Sequence, residues 1–122
     1  MCHVIFKNSY SSTVSVAVLI YNPFSCGGGL GDWEKGGWYN IDPGNQVEVA
    51  QTPNKYIYYY AEAADGSFWA GATGPIDVPT FAFDMCVWDQ PWGIPWPVGF
   101  REVDLGGWAW VPFASYTVNL TS

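Results

Sequence analysis

The chain has 122 residues, a length that one hydrophobic core can serve. Hydrophobic residues make up 49% and charged residues only 12%, the reverse of the balance that keeps a chain disordered. The formal charge is −7, and Lys7, Lys35, Lys55 and Arg101 are too few and too scattered to form a basic stripe, which excludes nucleic acid and disfavours anionic lipid.

In chain order, the dominant period is two. His3–Asn8 is rich in β-formers, and polar, turn-like Asn8–Ser12 follows it, so it is expected to form a hairpin with the next strand. In that strand Val14, Val16, Val18 and Ile20 alternate with Thr13, Ser15, Ala17 and Leu19, and its far end is apolar on both faces. Pro23–Asp32 (PFSCGGGLGD) reads as a Gly-rich loop. It is no phosphate cradle, because no helix and no suitably placed lysine follow it. Between Gly36 and Gly71 short strands succeed one another, punctuated by Pro43-Gly44, Pro53-Asn54 and Asp65-Gly66. Val47 and Val49 face one way, and Tyr56, Tyr58 and Tyr60 alternate with Ile57, Tyr59 and Ala61. That tyrosine run reads as sheet packing, with Trp38 beside it as scaffold. Asp84–Pro97 is rich in Pro and Trp, Val98–Asp104 is a strand, Gly106–Phe113 (GGWAWVPF) is an uncharged tip, and Tyr116, Val118 and Leu120 alternate in a last strand.

No window of a dozen residues has helical apolar spacing free of Gly and Pro. The fold class is therefore all-β: a single-domain antiparallel β-sandwich or flattened barrel of about 7–9 strands over residues 1–122, with little or no helix. Three cysteines, Cys2, Cys26 and Cys86, leave at least one unpaired within the chain. Three ordinary thiols are expected, a Cys26–Cys86 bridge being the alternative in an oxidising compartment. With no CxxC and His3 the one histidine, no metal or other cofactor is expected. The longest apolar run, Val16–Tyr21, falls far short of the ~20 residues of a transmembrane helix. MCHVIFKNSY does not read as a signal peptide, so the protein is expected to be cytoplasmic by default, with an exported mature form as the alternative.

Several of these residues also carry a resemblance. Asn8-Ser9, Val16-Ala17, Gly37-Trp38 with Ile41, Pro43 and Gly44, Tyr58-Tyr59-Tyr60-Ala61, Trp69 with Gly71, Gly99-Phe100 and Tyr116–Leu120 match in order along nearly the whole chain. The chain resembles the uncharacterised bacterial β-rich family known as domain of unknown function 1036. The resemblance implies a β-sandwich and offers no catalytic residues. Family members often carry signal peptides and more cysteines; neither is evident here, so an exported, disulfide-bonded form is not the expectation. A shorter stretch, VWDQPWG (Val87–Gly93), is similar to a Trp-Asp segment of aegerolysins, small acidic lipid-binding β-sandwiches.

Candidate chemistry is sparse. Paired carboxylates could do acid–base work on sugars at Glu62 with Asp65, Asp84 with Asp89, or Glu102 with Asp104, but solvated surface acids are the plainer reading. His3 lies near the chain end, and no G-x-S-x-G elbow is present. Calcium through Asp32, Glu34, Asp42 or Asp65 would lack EF-hand spacing. The stronger signal is aromatic. Trp88, Trp92 and Trp96 recur every four residues, yet Pro91, Pro95 and Pro97 forbid a regular helix. Indole faces stack on sugar rings, and they also suit a bilayer interface. The expectation is a non-enzymatic, lectin-like protein. It would recognise a neutral glycan or lipid headgroup through Trp88, Asp89, Trp92, Trp96, Trp108 and Trp110. The alternatives are a toxin-like membrane-active protein and a structural protein that self-assembles through Gly106–Phe113.

Overall fold

A computed structural model describes residues 2–27, 32–89, 96–107, 111 and 113–121. Trp92, Trp108 and Trp110, with residues 28–31 of the Gly-rich loop, lie outside the described residues. The all-β expectation holds: two curled sheets form a sandwich or half-barrel. In chain order the strands are β1 (Cys2–Asn8), β2 (Val14–Tyr21), β3 (Trp33–Ile41), β4 (Gln46–Thr52), β5 (Tyr56–Ala63), β6 (Phe68–Trp69), β7 (Thr73–Val78), β8 (Phe83–Cys86), β9 (Trp96–Asp104) and β10 (Ala114–Leu120). One helical turn, α1 (Pro23–Cys26), follows β2. No helix among the described residues is long and apolar enough to cross a membrane.

The smaller sheet has the order β10-β1-β4, and the larger runs β7-β9-β5-β2-β3-β8 with β6 beside β5. Among the described residues the pairings are antiparallel except that β1 and β10 run parallel, Cys2 opposite Ala114 through Asn8 opposite Leu120. The expected hairpin between β1 and β2 does not form. β1 pairs with β10 and β4, whereas β2 pairs with β3 and β5. The polar Asn8–Ser12 segment is a corner that carries the chain from one sheet to the other.

Asn8 explains that corner. It is fully buried. Its side-chain amide donates to the carbonyls of Ser12 and Ile41, both at 2.8 Å, and its side-chain oxygen accepts from the Tyr10 N–H at 2.8 Å. Its backbone N–H donates to the Asn45 carbonyl, and its own carbonyl accepts from the Gly44 N–H. The turn before β4 and the end of β3 are thereby tied to the end of β1.

Period-two patterning then builds two cores. Val4 and Phe6 from β1, Val14, Val16 and Val18 from β2, and Ile57, Tyr59 and Ala61 from β5 fill the space between the sheets. Phe6 meets Tyr59 edge to face at 5.1 Å. Ala17 and Leu19, the alternate residues of β2, bury on the opposite face with Tyr60, Val78, Phe83, Val98 and Phe100. This is why the far end of β2 is apolar on both faces.

Asn8→Leu keeps similar volume but leaves the buried Ile41 carbonyl and the part-buried Ser12 carbonyl and Tyr10 N–H without this partner. A loss of about 3 kcal/mol or more in urea unfolding is expected, since each buried unpaired group costs about 1–3 kcal/mol. Asn8→Asp should destabilise as well, because a carboxylate can accept from Tyr10 but cannot donate to Ser12 and Ile41. Wild-type stability in either variant would refute the corner role.

Candidate functional site

The best-formed aromatic site lies on the second face of the large sheet. A bulge in β3 creates it. Val16 sits opposite Tyr39 and Val18 opposite Gly36, so Gly37 and Trp38 together face the single residue Ala17. Such an extra residue reverses which alternate side chains face which side. Trp33, before the bulge, belongs to the second core, whereas Tyr39 and Ile41, also odd-numbered, pack on the first. Trp38 is sent back to the second face. Gly37 permits this approach: a Cβ there would lie 3.0 Å from the Val16 carbonyl oxygen and 3.2 Å from the Phe83 ring. The Gly37–Trp38 peptide is cis.

Around Trp38 the rings interlock. Its centroid lies 5.9 Å from Trp96 at an interplanar angle of 33°, 6.1 Å from Tyr60 and 6.0 Å from Phe83. Tyr60 meets Trp96 edge-on at 5.8 Å. The Trp38 indole N–H donates to the Pro79 carbonyl at 2.9 Å, which fixes the ring's rotation. Above the two indoles opens a cleft of about 380 Å³ whose rim includes Thr13, Ser15, Asn40 and Glu62. The Ser15 hydroxyl donates to the Asn40 side-chain oxygen at 2.6 Å, leaving the exposed Asn40 amide N–H groups for another acceptor. The Tyr60 hydroxyl donates to Glu62 Oε2 at 3.3 Å, so the carboxylate is oriented with Oε1 still available. Burial, reinforced by the Glu62 charge, pushes the Tyr60 phenol up to about 12.

Trp96 is thus the one described member of the sequence-predicted set that lines this cleft. Trp88 and Asp89 build a different corner. Cys26 and Cys86 form a disulfide, so the expectation of three free thiols is corrected; Cys2 alone is a free thiol, and it is buried. The Trp88 indole donates to the Cys26 carbonyl at 3.2 Å, and the ring is 39% exposed. The Asp89 carboxylate accepts from the Cys86 N–H at 3.2 Å, closing the turn. Its carbonyl accepts from Lys35 Nζ at 2.9 Å, and the Asp77 carbonyl does so at 2.7 Å. Lys35 is buried, and desolvation lowers its affinity for a proton. Within this corner Asp89 works as a structural link.

The carboxylate pairs singled out by sequence each have local partners. Asp65 accepts from the Tyr10 hydroxyl and the Ser67 N–H. Glu102 accepts from the Tyr58 hydroxyl. Asp104 accepts from the Gly106 N–H and lies 3.8 Å from Lys55 Nζ. Asp84 interacts with Glu34, which lies on the strand paired with its own. Ser15, Asn40 and Trp38 as a cleft wall are what sequence reasoning missed. The GW pair inside a strand was the available signal, since glycine within a strand marks a bulge.

No family model matches the chain, and neither curated proteins nor solved structures offer a match.

Two outcomes follow from this geometry. Replacing Cys26 and Cys86 together by serine should cost about 4 kcal/mol in denaturant unfolding, the chain-entropy value for a 60-residue separation; a change below about 1 kcal/mol would contradict it. For Tyr60, the folded pKa lies above the ordinary value near 10. Its contribution is therefore complete below pH 10 and is lost as pH climbs toward 12. Tyr60→Phe should lose stability less steeply than wild type between pH 10 and 12, as read by circular dichroism; parallel curves would count against this.

Proposed function

We propose that the protein is a non-enzymatic binding domain that recognises a neutral glycan in the Trp38–Trp96 cleft. One observation carries this reading: two indoles, tilted by 33° and locked by Tyr60 and Phe83, floor a cleft with a rim of hydroxyl, amide and carboxylate groups. Indole faces suit the C–H faces of a sugar ring. Asn40 N–H groups and a Glu62 oxygen suit its hydroxyls. No cation is among the described residues that line the cleft, and the protein's net charge repels acidic glycans. Half-exposed Trp88 stands in this proposal as a further aromatic contact for a longer ligand, while Trp92, Trp108 and Trp110 stay candidates read from the sequence.

A lipid surface is the second reading, favoured by Phe24 and Phe113, whose exposures are 101% and 94%. Such rings suit the headgroup boundary of a zwitterionic bilayer.

A neutral-oligosaccharide array on the purified protein tests the first reading. Trp96→Ala should weaken binding about 30-fold or more, the scale of an aromatic hot spot, and Asn40→Ala about tenfold. Trp88→Ala should leave a short ligand's binding unchanged. Near-ultraviolet circular dichroism verifies the fold of each variant. Unaltered binding by folded Trp96→Ala would sink the cleft. Co-sedimentation with phosphatidylcholine vesicles, lost on Phe24→Ser with Phe113→Ser and unaffected by free sugar, would favour the lipid reading instead.

A further inference from the structure

A second, larger hollow lies on the seam between the sheets. β3 and β4 belong to different sheets and do not pair, and between them opens a groove of about 600 Å³. Tyr21, Phe24, Tyr39 and Phe83 give it aromatic walls, and Val18, Ile20 and Val49 give it aliphatic ones. The Tyr39 hydroxyl reaches across to the Val49 carbonyl at 3.4 Å. Its charged lining consists of Glu34 and Asp84.

Those two carboxyls lie on paired strands, where Glu34 faces Cys86 and Gly36 faces Asp84. Glu34 Oε1 accepts from the Asn22 amide at 2.8 Å. Hydrogen bonding with Asp84 and burial hold the Glu34 carboxyl above the usual range, while the Asn22 bond pulls the other way. The nearest lysine in sequence, Lys35, spends its ammonium on the Asp77 and Asp89 carbonyls. Tyr21 and Tyr39 are the other titratable groups lining the groove, and burial, then the charges of Asp84 and Glu34, raise the Tyr39 phenol. Half-buried Glu34 and exposed Asp84 therefore border apolar walls, with no cation among the described lining residues.

We propose that this groove binds an organic ammonium ion carrying an apolar chain. The ammonium head sits between Glu34 and Asp84 as the counter-charge to both. Its chain lies along the aromatic walls, which also attract a cation through their ring faces. Charge complementarity selects this occupant: a fatty acid would meet two carboxyls, and an alcohol would gain only the apolar contact. The inference does not rest on the glycan reading: the groove shares Trp38 with the cleft but includes neither Trp96 nor Asn40.

Isothermal titration of the whole protein at pH 7.5 with octylammonium, octan-1-ol and octanoate is the test. Octylammonium should bind about tenfold or more tighter than octan-1-ol, and octanoate should not bind. Glu34→Gln with Asp84→Asn should erase that preference. If this double variant fails to fold, Asp84→Asn alone should cut the preference severalfold. Val49→Trp, which fills the groove from its half-buried wall, should block octylammonium while glycan binding, where present, persists. Equal affinity for the alcohol and the ammonium, a preference that survives the acid substitutions, or binding unaffected by Val49→Trp would each overturn the proposal.

Discussion

Asn8 carries one amide group, and the arrangement of the two sheets hangs on it. The chain must leave β1, which belongs to the small sheet, and enter β2, which belongs to the large one. A corner of that kind takes backbone groups out of both ladders, and in a buried position each of them needs a partner. Asn8 supplies three from a single side chain, as donor to Ser12 and Ile41 and acceptor from Tyr10. Ser9 N–H adds a bond to the Leu120 carbonyl, which brings the last strand to the same point. A parallel β1–β10 pair follows from this, because the first and last strands both end at the corner.

Once the corner is set, burial on both faces of the large sheet decides the rest. A strict alternation could serve one face only. Trp33 and Tyr39 are both odd-numbered, yet they pack in different cores, and the bulge at Gly37-Trp38 is what separates them. β9 makes a comparable change. Val98 and Phe100 join the second core, while Val103 and Leu105 join the first, and exposed Arg101 and Glu102 lie between them. There the strand passes from β7 to β5 as its partner. These irregularities let a small chain bury aromatic residues on two sides of one sheet, and they aim Trp38 at the cleft.

Much of this was legible in the sequence, for local reasons. Period-two alternation marked β2 and β5, and Pro43-Gly44 and Asp65-Gly66 marked turns that do occur. The apolar far end of β2 foretold a second buried face. What alternation could not carry was pairing between distant strands. A polar segment such as Asn8–Ser12 has the composition of a hairpin turn and of a corner alike, and only the partners of Asn8 distinguish them. The Cys26–Cys86 bridge likewise depends on β8 lying beside β3, a contact with no signature in spacing. For the site, tryptophan density pointed to the Pro-rich segment and found Trp96. It passed over Trp38, because a residue in the middle of a strand reads as packing.

Trp38 is in fact both packing and wall, and that dual position bears on how the two hollows relate. It lines the neutral cleft with Trp96 and also borders the acidic groove between β3 and β4. The two differ in chemistry. The first offers hydroxyls, an amide and one oriented carboxylate, and the second offers two interacting carboxyls against apolar walls. An uncharged polar ring suits the former, and a cation with a greasy tail suits the latter. A Cβ at position 37 would crowd the Val16 carbonyl oxygen and the Phe83 ring, so glycine is what lets the strand bring Trp38 to this shared place. Trp38 is shared by the two linings, so a displacement of its ring would reshape the wall of both hollows.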